Sequence, residues 1–245
     1  MKIFRKFRFN TISKNAFSKY VLYAFGEILL VVVGILIALY INNKKDIADK
    51  LEIQKNHFVV LKEELHNNLQ ILEKEQETLG ELIENIRELI NLANSNTLEK
   101  KFNETYLSEI LFLPITRAIE VNYENGAFNE FTSSSSLKDV KKDSLRSLLR
   151  VWNRKLETFK FQENVVRESL DKANNFIEVN GSLKTIFDSI NLSESYLEIK
   201  NSKTVVSNKH LLKSRQFENI LIQYLGVATQ LHKKEYPAFK SDMNN

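Results

Sequence analysis

The chain has no cysteine, two prolines and six glycines in 245 residues. Without cysteine there is no disulfide framework and no thiolate metal site. So little glycine and proline argues against a turn-rich all-β fold, which needs both at its turns. The glycines stand at 26, 34, 80, 126, 181 and 226 and never cluster, so no glycine-rich phosphate loop exists. Nucleophile-elbow, Walker, HExxH and EF-hand patterns are also missing. No pattern proposes a reaction, and the expectation is a protein that is not an enzyme and carries no cofactor.

A net charge of +4 and a pI near 9.0 superficially suggest a nucleic-acid binder. The basic residues are not spread that way. Residues 1–19 hold Lys2, Arg5, Lys6, Arg8, Lys14 and Lys19 and no acid. Beyond residue 41 the acids and bases nearly cancel, so the body has no footprint for phosphate backbones and no nucleic-acid partner is expected.

Residues 20–41, YVLYAFGEILLVVVGILIALYI, contain one charge, Glu27. As a helix they span roughly 33 Å, enough for a bilayer core of roughly 30 Å. The run is longer than the usual apolar region of a cleaved signal peptide and ends in Leu39, Tyr40, Ile41 and Asn42 rather than at a small-residue site. The reading is an uncleaved transmembrane helix. Six bases and no acid precede it, whereas Lys44, Lys45, Lys50 and Lys55 follow it with three acids interspersed. That bias puts the N-terminus in the cytoplasm and the C-terminal body across the membrane. Phe4, Phe7 and Phe9 among the bases suit an interfacial anchor.

After the span a seven-residue repeat places Leu51, Phe58, Leu65, Leu72, Leu79, Ile86 and Ala93 at every a position. The d positions are Gln54, Leu61, Asn68, Glu75, Leu82 and Leu89. An apolar a row and a half-polar d row fit one long amphipathic helix over about 42–94, less securely a coiled coil. Ile83 and Ile90 widen the stripe toward a bundle face, and Leu51, Phe58, Leu65, Leu72, Leu79 and Ile86 are its expected helix interface. The register runs back through Ile37 and Leu30, so the simplest helix leaves the bilayer unbroken. Gly80 falls at an outward b position and reads as a bend.

A short helix is expected over 103–112, capped by Asn103 and ended by Pro114. Residues 113–142 read as a connection with one or two helical turns, and Ser133 to Ser136 as a bend. A second long helix, about 143–179, starts at Asp143 as N-cap and carries Leu145, Leu148, Leu149, Trp152, Leu156, Phe159, Val166, Leu170, Ala173 and Ile177 at helical spacing. Asn180-Gly181 supplies the stop. A third, about 214–234, presents Phe217, Ile220, Leu221, Tyr224, Ala228 and Leu231 and is bounded by Pro237. These amphipathic helices must bury their stripes on one another or across subunits.

Glu27 is the residue with chemistry to explain. Intramembrane acids usually mark a function or a partner. Glu27, Gly34 and Ile41 share a face, and Gly26, Gly34 and Ala38 allow close helix approach. Three readings stay open: a contact with a second copy or a partner helix, a carboxyl hydrated near the headgroups, and part of an ion path. Glu63 and His66 have the Glu-x-x-His spacing of di-iron bundles, but such sites need a second copy. His57, His210 and His232 follow Gln54, Ser207 and Thr229 at that spacing, so EELH reads as a solvated face and no metal is expected.

The segment Phe17 to Asn43, FSKYVLYAFGEILLVVVGILIALYINN, resembles the N-terminus of a family of uncharacterised Gram-negative bacterial single-span membrane proteins. That family has a short basic head, a span around a GEI…GILIALxINN core and a helical tail. Gly26-Glu27-Ile28 and Gly34-Ile35-Leu36-Ile37-Ala38-Leu39 match it, while Tyr40 stands in place of Gln and Lys44 in place of Trp. Tyr123 and Lys142-Asp143-Ser144-Leu145-Arg146 are similar to a looser downstream pattern. The resemblance implies an inner-membrane location and supplies no catalytic residue.

The expectation is an all-α protein: a basic head over 1–19, a transmembrane helix over 20–41, and an elongated helical-bundle body over 42–245 in the periplasm. It would be a scaffold or accessory subunit, partnered by the lipid bilayer and by a second copy or a membrane protein. The alternative is a signalling or energy-coupling subunit that uses Glu27, an architecture found in proton-driven membrane machines.

Overall fold

The computed structural model describes residues 16–94, 103–119, 122–134, 137–138 and 140–244. Most of the expected basic head, Phe4, Phe7 and Phe9 included, lies outside the described residues, as do Ser135 and Ser136. The fold is all-α, and no strand occurs among the described residues. In chain order the helices are α1 (Ala16–Ala93), α2 (Glu104–Thr116), α3 (Gly126–Ser133), α4 (Asp143–Asn180), α5 (Leu183–Ser189), α6 (Leu192–Ser195), α7 (Arg215–Gln230) and α8 (Tyr236–Asn244). A 3-10 turn (Lys209–Lys213) precedes α7, and a π turn (Leu231–Glu235) joins α7 to α8. The chain divides into two units, Met1–Phe58 and Val59–Asn245, and α1 contributes to both.

In the first unit α1 is exposed on nearly every side, apolar residues included. By length and composition it is the one helix among the described residues able to cross a membrane, and none of its most apolar 18-residue window is buried.

The second unit buries a core of its own. From Leu61 onward α1 turns one stripe inward: Leu61, Leu72, Leu79, Leu82, Ile83, Ile86 and Leu89. Glu64, Asn68 and Glu75 lie on the same stripe and are also buried. Helix α2 folds back on α1, with Tyr106 donating to Glu88 at 3.1 Å and Arg117 paired with Glu81. The α7–α8 arm runs antiparallel to α1, because Asn94 meets Glu218 at one end and Lys240 meets Glu73 at the other. It also runs antiparallel to α4, where Phe176 stacks on Phe217 and Lys155 pairs with Asp242 at 2.6 Å.

Several expected boundaries move. Asn103 caps α2 as expected, its side chain accepting from the Tyr106 N–H. Pro114, however, does not end α2, which continues to Thr116 with Pro114 buried inside it. So near a helix C-terminus, proline disturbs only the last turn, and burial of its ring offsets part of the loss. Asp143 is the first residue of α4 rather than its cap, which is Lys142. The third long helix does not stop at Pro237. The π turn widens the backbone just before that proline, whose ring a regular helix would drive into the carbonyl of Lys233, and α8 resumes through it.

Two glycines mark close approaches rather than bends or left-handed stops. A Cβ on Gly80 would meet His232 Nε2 at 3.3 Å, so this position faces the π turn and the helix passes it unbroken. Gly181 caps α4 in an extended conformation, where a Cβ would meet the Ile177 carbonyl at 2.7 Å and Asn208 Oδ1 at 2.9 Å.

Candidate functional site

In the first unit Gly26, Glu27, Gly34 and Ala38 are all exposed along α1. Among the described residues a Cβ on Gly26 or Gly34 would meet nothing within 4 Å, so neither glycine serves a contact there. Among the six interface positions, Leu51 is exposed, Phe58 and Leu65 are half-buried, and Leu72, Leu79 and Ile86 are fully buried in the chain's own body. Glu63 and His66 lie on an exposed face, with His66 Nε2 3.2 Å from Gln70 Nε2.

One polar d residue, Asn68, proves specific. Asn68 pairs with the backbone of one residue: its Nδ2 donates to the Glu124 carbonyl at 2.8 Å and its Oδ1 accepts from the Glu124 N–H at 2.7 Å. Asn208 treats Ser182 the same way, at 3.1 Å and 2.7 Å. Glu64 caps α3 from another helix. Its carboxylate accepts from the N–H groups of Ala127 and Phe128 at 2.6 and 3.0 Å, where Asn125 makes no side-chain cap. A negative group at a helix N-terminus satisfies orphan donors and opposes the helix dipole favourably.

The most unusual group was not singled out by its sequence. Glu163 stands in the middle of α4 with its side chain fully buried. Trp152, Leu156, Phe159, Val166, Leu170, Ala173 and Ile177 form a three-and-four-residue stripe, and Glu163 occupies the one position in it between Phe159 and Val166 that no apolar residue fills. That interruption was the available signal. Glu163 Oε1 accepts two hydrogen bonds, from the Tyr123 hydroxyl at 2.9 Å and from the Tyr236 hydroxyl at 3.1 Å. Its Oε2 is buried and has no hydrogen-bond partner.

Aromatic rings wall this carboxyl in. Phe159 stacks on Phe239 with centroids 4.1 Å apart, Trp152 stacks on Phe239 at 5.3 Å, and Tyr123 meets Phe159 edge-on at 5.7 Å. Burial pushes Glu163 up to about 7, assisted by the like charge of Glu75; the two tyrosine hydrogen bonds and Lys160 act in the opposite direction. Burial and the Glu163 carboxylate push both tyrosines up from the ordinary phenol value. The group can hold or release a proton near neutrality. Outside the rings a groove of about 240 Å³ is lined by Arg154, Lys155, Phe159, Phe239 and Asp242, and Glu163 does not reach its lining.

Among the described residues no cluster of histidine and carboxylates could hold a metal ion. No protein-family model, no curated protein and no solved structure matches the chain.

Proposed function

We propose that this is a single-pass inner-membrane protein with a periplasmic helical body, acting as a scaffold or accessory subunit through self-association or a membrane partner. One observation carries the reading. Among the described residues none of the most apolar window of α1 is buried, whereas the Val59–Asn245 unit buries a core of its own. Leu, Ile and Val surface of that length is stable only in lipid or against another apolar helix. Glu27, Gly34 and Ala38 give that surface one face suited to a helix partner. The basic residues before the span orient it with the N-terminus in the cytoplasm. The resemblance of 17–43 to the uncharacterised single-span family agrees with this placement.

The mass of the complex extracted gently from native membranes tests the reading. An integer multiple of 28.6 kDa is the expected result for self-association, and a co-purifying membrane protein is the expected result for an accessory role. In either case Gly34→Leu, which crowds the small-residue face, should disperse the assembly while the body stays folded. A monomer in mild extraction would overturn the proposal.

A further inference from the structure

Three separate segments meet at one oxygen atom of Glu163. Helix α4 supplies the carboxyl, the connection before α3 supplies Tyr123, and the first residue of α8 supplies Tyr236. Directly before Tyr236 lies the π turn Leu231–Glu235, where the Tyr236 N–H reaches back to the Leu231 carbonyl. Such wide turns are rare in helices, are frequent at functional sites and are places where helices kink. Next along the chain comes α8, Tyr236–Asn244. Its outer fastenings, Lys240 to Glu73 and Lys155 to Asp242, are partly exposed ion pairs of the kind that contribute little. The inner fastenings are the Tyr236–Glu163 bond and the insertion of Phe239 between Phe159 and Trp152.

We propose that Glu163 is a proton-operated latch on α8: neutral, it lies closed in among Tyr123, Tyr236 and the rings, and ionised, its buried charge drives α8 open about the π turn so that water can reach it. The physical basis is the unequal treatment of its two oxygens. On Oε1 the two tyrosine hydroxyls donate in either state and bind the ionised one more strongly, which opposes opening. Ionisation also spreads charge onto Oε2, which is buried without a donor. An unpaired buried charge costs far more than an unpaired buried hydroxyl. The groups facing it from each side are Glu75 on α1, Tyr123 on the connection, Tyr236 on α8 and Lys160 on its own helix. Glu75 opposes ionisation and Lys160 favours it.

The sign follows from the raised value. With the folded carboxyl at about 7 against an ordinary 4.5, the latch is fully closed at acidic pH, and its contribution falls as pH rises through about 7. Trp152, the sole tryptophan, stacks on Phe239 and so reports directly on the arm.

The test is a pH titration of tryptophan emission on the full chain in detergent, with hydrogen exchange of residues 231–244 measured in parallel. Wild type should show a transition centred near 7. After correction for intrinsic exchange, opening of the arm should increase on the order of 100-fold from the acidic to the basic side. Histidine as a residue type titrates in the same range, so His232→Asn is carried alongside. A transition kept in His232→Asn and lost in Glu163→Gln supports the latch. No transition in wild type, or one that survives Glu163→Gln, overturns it. If Glu163→Gln does not fold, Glu75→Gln carries the test. It removes a like charge, so the midpoint must fall, and an unmoved midpoint overturns the proposal.

Discussion

Between Tyr20 and Ile41 α1 turns its leucines, isoleucines and valines outward on every side; between Leu61 and Leu89 it turns leucines and isoleucines along one stripe. Leucine and isoleucine serve in both regions of one helix. What differs is their spacing. Around the span there is no polar face, so no rotation of the helix could hide the apolar one. Past Val60, charged residues fill the intervening positions, and the apolar ones fall three and four apart. The first region is exposed along its most apolar stretch. The second meets α2, α3 and the α7–α8 arm. Intrinsic helix propensity does not separate the two regions; only the pattern does.

Paired substitutions sharpen that contrast. The largest effect is expected from Leu79→Ala, whose side chain is fully buried. It should cost about 2–5 kcal/mol of body stability, depending on how far the core collapses. Leu36→Ala, on the exposed region of the helix, should leave the unfolding of the body unchanged. Denaturant unfolding in detergent, followed by Trp152 emission, measures both, and equal losses would break the comparison.

Gly181→Ala should come next. The Cβ would press on the Ile177 carbonyl and on Asn208, both held in place, and the expected loss is about 1–3 kcal/mol. Gly34→Ala meets nothing among the described residues and should leave the body's melting temperature alone. The smallest effect belongs to Lys240→Ala. Its pair with Glu73 is half-exposed, and its removal should cost less than about 1 kcal/mol.

The all-α class, the course of the long helices and the cap at Asn103 are legible because each has a local cause: a period, a hydrogen-bonding side chain, a glycine. Pro114 and Pro237 misled for the same reason. Their local meaning is helix-ending, and it was outweighed at Pro114 by burial of the ring and at Pro237 by a π turn that the sequence does not announce. Gly181 was read correctly as a stop, but its reason is the nearness of Asn208, a residue 27 positions away. Glu163 escaped notice because its partners, Tyr123 and Tyr236, lie 40 and 73 positions away. Its only local trace is one charged residue in an apolar row.

A seven-residue repeat is ambiguous by construction, since a slide of one repeat along α1 sets leucine where leucine stood. The polar residues of the stripe remove that ambiguity. Slid one way, Leu61 would face Glu124 in place of Asn68, and a peptide N–H and C=O would lose both partners; slid the other way, Glu75 would arrive there with no N–H to give the carbonyl. In the same slides the first turn of α3 would meet His57 or Ile71 instead of the Glu64 carboxylate. Each misplacement leaves buried polar groups unpaired, at about 1–3 kcal/mol apiece. Asn68 and Glu64 thus work as an alignment code, through which a helix that could dock at several heights is accepted at one.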